Sequence, residues 1–137
     1  MAYAQWIIVT IVNFLKSGKD IKVKNADISW GKFWDGENMD DEISASTVNE
    51  IVVARGQVEQ VQACGRSDAA SGTEGTFDIY DCNNKRICHV SWDCPWGSKS
   101  NSFEVEVDDE AKYKVIKPSF VVRSGAIGTM QIFIMDN

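Results

Sequence analysis

Apolar and polar side chains alternate with a period of two along most of this chain. Ile21 and Val23 alternate with Lys22 and Lys24, Phe77 and Ile79 with Asp78 and Tyr80, and Val105 and Val107 with Glu104 and Glu106. Met130, Ile132 and Ile134 alternate with Gln131 and Phe133. A strand sends successive side chains to opposite faces, so this alternation predicts strands with one face in a core. Further apolar or β-branched segments at residues 3–13, 26–33, 51–53, 58–63, 86–92, 113–117 and 120–123 are separated by turn formers such as Ser17-Gly18-Lys19-Asp20 and Ser124-Gly125-Ala126. About ten short strands result. No window of about a dozen residues keeps a helical apolar stripe. Thr47-x-x-Glu50 has the form of a capping box, but the β-branched run Ile51-Val52-Val53 follows at once, and no helix is predicted from it. Many short strands with almost no helix predict an all-β fold, a single antiparallel β-sandwich occupying residues 1–137 as one domain.

Composition and charge narrow the function. The 137 residues are 44% apolar and 25% charged, ordinary for one domain able to build a core without a metal or disulfide. Fourteen basic against twenty acidic side chains give a net charge of −6, the wrong sign for nucleic acid or strongly anionic lipid. Each half, 1–68 and 69–137, carries seven basic and ten acidic side chains, so no charged tail stands out. The apolar run Trp6 to Val12 is broken by Thr10 and ended by Asn13, far short of the roughly 20 residues of a membrane helix. Met1-Ala2-Tyr3-Ala4-Gln5 carries no basic residue of a secretory leader, which predicts cytoplasmic synthesis with any export by another route.

Catalytic and metal patterns are weak. Cys64, Cys82, Cys88 and Cys94 form no CxxC pair, so no zinc site is expected and reduced thiols are. A Cys82–Cys88 bridge would force Ile87 into a turn, whereas a natural turn at Asn83-Asn84 pairs Cys82 with Lys85. His89, the single histidine, sits in a predicted strand, and a hydrolase would have to use it with Asp81 or Asp93. Ser29-Trp30-Gly31-Lys32 satisfies Ser-x-x-Lys without the companion motifs. The acidic run Asp35, Glu37, Asp40, Asp41, Glu42 lacks calcium-loop spacing and reads as a solvated loop. No enzyme, metal or cofactor is expected.

Tryptophan usage is the unusual feature. Trp6, Trp30, Trp34, Trp92 and Trp96 include two similar contexts, Ser29-Trp30-Gly31-Lys32 and Trp96-Gly97-Ser98-Lys99, each placing an indole beside glycine and a lysine. Indoles favour the membrane interface and an ammonium can bond a lipid phosphate, so the pairing suits a phospholipid headgroup. Core packing is the competing role for each indole. Trp6, in an apolar strand, has the more core-like sequence; Trp96, in Asp93-Cys94-Pro95-Trp96-Gly97, has that of a loop.

Six blocks in order carry a resemblance. Ala2-Tyr3-Ala4-Gln5-Trp6, Ser29-Trp30-Gly31-Lys32, Ala63-Cys64-Gly65-Arg66-Ser67-Asp68-Ala69-Ala70, Gly75-Thr76-Phe77-Asp78, Trp92-Asp93-Cys94-Pro95-Trp96-Gly97-Ser98-Lys99 and Ser124-Gly125-Ala126-Ile127-Gly128 together make the chain resemble the aegerolysin family. The resemblance spans nearly the whole chain. It implies an actinoporin-like sandwich that recognises membrane sphingolipid, either ceramide phosphoethanolamine or sphingomyelin with cholesterol, the former favoured here. It also implies a membrane-attack-complex/perforin-like partner that forms a pore. Trp30, Trp96 and Lys99 become the expected lipid contacts. Trp6 and Trp92 remain open between lipid contact and packing. Arg66 is open between meeting a phosphate and pairing with a carboxylate to organise a turn. At Ser71 the chain departs from a family glutamate that touches lipid, and Glu74 three residues on is the candidate substitute. A carbohydrate-binding module, which also stacks sugars on tryptophan, is the alternative from another class.

Overall fold

The computed structural model describes residues 4–16, 19–67, 70–97 and 99–137. Tyr3 of the first predicted strand, Ser17 and Gly18 of a predicted turn, and Asp68, Ala69 and Ser98 of the family blocks lie outside the described residues. Among the described residues there are eleven strands and one helical turn: β1 (Trp6–Asn13), β2 (Ile21–Trp30), β3 (Lys32–Trp34), β4 (Glu42–Ile43), α1 (Ala45–Val48), β5 (Val52–Val53), β6 (Val58–Cys64), β7 (Thr73–Tyr80), β8 (Arg86–Cys94), β9 (Ser102–Val107), β10 (Tyr113–Ile116) and β11 (Gly128–Asp136). They form two sheets, ordered β10-β11-β1-β6-β3-β4 and β5-β2-β7-β8-β9.

The inward set of each strand is the apolar set. Ile7, Val9 and Ile11 of β1, Phe77 and Ile79 of β7, Val90 and Trp92 of β8, and Ile132 and Ile134 of β11 are buried between the sheets. Each such side chain contributes about 1.5–3 kcal/mol on leaving water. Trp92 sits edge-on to Phe33 of the facing sheet, with ring centroids 6.3 Å apart.

Four local expectations are corrected. The sandwich is not wholly antiparallel, because β1 and β11 pair in parallel from Ile7↔Gly128 to Asn13↔Ile134. Residues 120–123 are a loop, not a strand; there Asn101 of the neighbouring segment takes the Val122 carbonyl, while Phe120 stands 75% exposed. The segment 26–33 divides at Gly31, after which the chain passes from one sheet to the other. In the β7–β8 turn the closing pair is Asp81/Lys85 rather than Cys82/Lys85, since the Asp81 carboxylate accepts the N–H groups of Asn83 and Lys85, both at 2.9 Å, and draws the turn one residue wider. Asn84 takes φ 63° there. Helix α1 is capped by Ser44 with Thr47 inside it, so Thr47 opens no helix of its own. Cys64, Cys88 and Cys94 are buried thiols and Cys82 an exposed one. Burial pushes Cys88 up to about 12 and, against the opposing charge of Lys32, Cys64 up to about 11.

Candidate functional site

Three strands converge at one end of the second sheet. The register sets Trp30 of β2 against Glu74 of β7, and Glu74 against Asp93 of β8. Directly opposed residues of antiparallel strands share a face, and here it is the outer one. Trp92 faces the core and Asp93, its neighbour, faces out.

Two glycines fix this corner. At Gly31, φ is +84° and a Cβ would lie 2.2 Å from the Cys64 carbonyl oxygen, so only glycine lets the chain turn there. The turn leaves Trp30 63% exposed and carries Lys32 inward, where it is buried in the other sheet. A Cβ on Gly72 would lie 2.0 Å from the Cys94 carbonyl oxygen. Its absence lets the strand leading into β7 pass against the Pro95 backbone.

The result is a groove of about 810 Å³ lined by Trp30, Ala70, Ser71, Gly72, Thr73, Glu74, Asp93, Pro95, Trp96, Lys99 and Ser100. Two indoles contribute to the apolar part of the lining, Trp96 being 38% exposed. Two carboxylates face each other across β7 and β8, an arrangement that destabilises a sheet unless a cation comes between them. Among the described residues no ion pair engages Glu74, Asp93 or Lys99. The groove thus offers one ammonium, two carboxylates and two indoles to an outside ligand.

Of the residues predicted to touch ligand, Trp30, Trp96, Lys99, Ser71 and Glu74 meet in this groove. Trp92 does not: it is 2% exposed, its indole N–H donates to Thr73 Oγ1 at 3.2 Å, and its ring is tilted over Phe77. It is a core residue that supports the groove from below. Trp6 lies half-buried on the outer face of the other sheet, in a second groove of about 610 Å³ with Trp34, Met39 and Gln62. Arg66 donates to both carboxylate oxygens of Glu42, at 3.1 and 3.3 Å, and its backbone N–H donates to Ser71 Oγ at 3.4 Å. It organises the approach to the groove and does not line it. Lys32 is likewise not presented beside Trp30, so the two Trp-Gly-Lys contexts differ in space. Asp93 lines the groove without having been among the expected ligand contacts. The signal was parity, because with Val90 and Trp92 pointing inward, Asp93 has to point outward.

His89 Nδ1 lies 2.5 Å from Asp78 Oδ1, with Arg86 3.6 Å from the same oxygen. Neither Asp81 nor Asp93 is its partner. Asp81 instead accepts the Tyr113 hydroxyl at 2.7 Å. His89 therefore sits in a charge network on the outer sheet face, away from the groove lining.

Comparison with known proteins places this architecture. Residues 4–137 match the aegerolysin family. The chain belongs to the aegerolysin family. This aegerolysin is 42% identical over 134 residues to ostreolysin A6 of Pleurotus ostreatus, covering 96% of this chain and 95% of the relative. It is 43% identical over 131 residues to Asp-hemolysin of Aspergillus fumigatus, covering 96% and 92%. The solved structure of RahU, in complex with a Tris molecule, superposes with a TM-score of 0.90 at 36% identity, covering 99% of this chain and 98% of that one. Among the described residues of this aegerolysin no helix is long and apolar enough to cross a membrane. None of its His, Cys, Asp and Glu side chains gather, among those residues, into a metal-holding group.

Proposed function

We propose that this aegerolysin is a non-enzymatic, peripheral membrane protein whose Trp30–Trp96 groove binds the zwitterionic headgroup of a sphingolipid. Ceramide phosphoethanolamine is favoured over sphingomyelin with cholesterol. The observation that carries the reading is the Glu74–Asp93 carboxylate pair sharing one groove with Lys99 and two exposed indoles. A lipid phosphate accepts a charge-assisted hydrogen bond from Lys99, and the headgroup ammonium sits between the carboxylates and relieves their repulsion. A primary ammonium donates hydrogen bonds to both carboxylates, whereas a trimethylated choline has no N–H to donate. That difference favours phosphoethanolamine. The indoles then sit at headgroup depth with their N–H groups wet.

The net charge of −6 supports the same scheme, since it opposes adhesion to anionic surfaces and leaves selectivity to specific contacts. The names of the relatives, an ostreolysin and a hemolysin, support a cytolytic setting. In that setting the chain is the targeting component and a perforin-like partner makes the pore. Release from the producing cell completes the proposal.

Sedimentation with vesicles of ceramide phosphoethanolamine, of sphingomyelin with cholesterol, and of phosphatidylcholine alone tests it. The expected order is strong, weaker and absent binding. Equal binding to all three, or to none, contradicts the reading, and glycan binding without lipid dependence would replace it with the carbohydrate-module alternative.

A further inference from the structure

The β10–β11 connection, residues 117–127, carries exposed apolar side chains that the fold does not use. Phe120 is 75% exposed and Val122 39% exposed. Neither is a packing remnant of an adjoining strand, because this segment belongs to no sheet. Its backbone is nevertheless firmly held. Asn101 donates its backbone N–H to the Arg123 carbonyl at 2.8 Å and its side-chain amide to the carbonyls of Val122 and Gly125, both at 3.0 Å. The Cys94 thiol donates to the same Gly125 carbonyl at 3.2 Å. Upstream, the Lys117 ammonium donates to the Val105 carbonyl of β9 at 2.8 Å.

These bonds locate the loop. Lys117 is pinned beside the middle of β9, and Val122 to Gly125 are pinned to Asn101 and Cys94, which flank the 95–100 segment that supplies Pro95, Trp96, Lys99 and Ser100 to the groove. The segment therefore runs along β9 toward the groove end of the sandwich. Phe120, two residues before Val122, stays within about 7 Å of it along the chain. An exposed phenyl ring on a loop stitched to a headgroup site, followed by the exposed cation Arg123, has the composition of an interfacial anchor: an apolar tip for the acyl boundary and a positive side chain for the phosphate layer.

We propose that Phe120 and Val122 form an apolar anchor that enters the lipid surface beside the groove, supplying affinity while the groove supplies headgroup choice. This inference rests on the headgroup reading above. Phe120→Ser and Phe120→Leu, compared with the unaltered protein on ceramide phosphoethanolamine vesicles and on sphingomyelin–cholesterol vesicles, test it. Because the ring is exposed, both variants should melt within about 2 °C of the parent. Phe120→Ser should bind about tenfold more weakly while keeping the parent's ranking of the two lipids, and Phe120→Leu should bind nearly as the parent does. Parental binding by Phe120→Ser, or equal losses in both variants, overturns the anchor and leaves the headgroup reading standing. If the unaltered protein binds neither vesicle, the headgroup reading fails and the anchor fails with it.

Discussion

The two ends of β7 hold carboxylates in opposite circumstances. Just beyond its C-terminal end, Asp81 is buried and accepts the amides of Asn83 and Lys85 and the hydroxyl of Tyr113, with the Lys112 ammonium 3.6 Å away. Burial alone would raise this carboxyl, but the hydrogen bonds outweigh it and hold Asp81 below the ordinary carboxylate range. Burial and the same Asp81 contact push the Tyr113 hydroxyl up. At the N-terminal end, Glu74 faces Asp93 across the strands with no ion pair among the described residues. One end spends its polar groups on holding the fold. The other leaves them unspent at the mouth of a groove, where a ligand can complete them, which is how binding sites differ from structural networks.

Trp92 and Trp96 repeat the contrast within four residues of β8 and its following loop, and the largest expected effect comes from there. Trp92→Ala should destabilise the protein by about 3–5 kcal/mol and lower its melting midpoint by more than about 10 °C. A melt within a few degrees of the parent would return Trp92 to the surface.

Next in size is Asp81→Ala, which strands the Tyr113 hydroxyl and the turn amides at a cost of about 1–3 kcal/mol. A depressed folded-state carboxyl contributes its stability above the ordinary carboxylate range and loses it as pH falls through the depressed value. The parent should therefore weaken on acidification, and urea titrations from pH 7 downward should show a shallower decline in the variant. Parallel declines would mean that Asp81 contributes nothing to the acid limb.

The smallest effect on the fold is expected at Glu74→Gln. Removing one of two facing charges should leave the midpoint unchanged or slightly raised, while binding to ceramide phosphoethanolamine vesicles falls about tenfold through loss of a charged hydrogen bond. A midpoint drop without a binding loss would make Glu74 structural, like Asp81.

Much of this contrast was legible in the sequence. The period of two located nearly every strand, and the Pro and Gly around Trp96 marked its loop. The resemblance pointed to Trp30 and Lys99, and the departure at Ser71 drew attention to Glu74. What stayed hidden depends on register between distant segments. Nothing local announces that β1 pairs in parallel with β11 across more than a hundred residues. The sharing of a face by Trp30, Glu74 and Asp93 likewise exists only once three strands are aligned. Trp92, left open between lipid contact and packing, goes to the core, as the parity it shares with Val90 requires. Lys32 was set beside Trp30 because the sequence does not reveal that Gly31 turns the chain into the other sheet. Arg66 finds Glu42 from another hairpin, 24 residues away.

The central claim is that the groove lined by Trp30, Glu74, Asp93, Trp96 and Lys99 is the lipid site. Sedimentation of Trp96→Ala with ceramide phosphoethanolamine vesicles, alongside a thermal melt of the same preparation, tests it most directly. The account predicts that vesicle binding is lost while the midpoint stays within about 3 °C of the parent, because a loop indole adds little to the core. Full vesicle binding by a folded Trp96→Ala protein would contradict it.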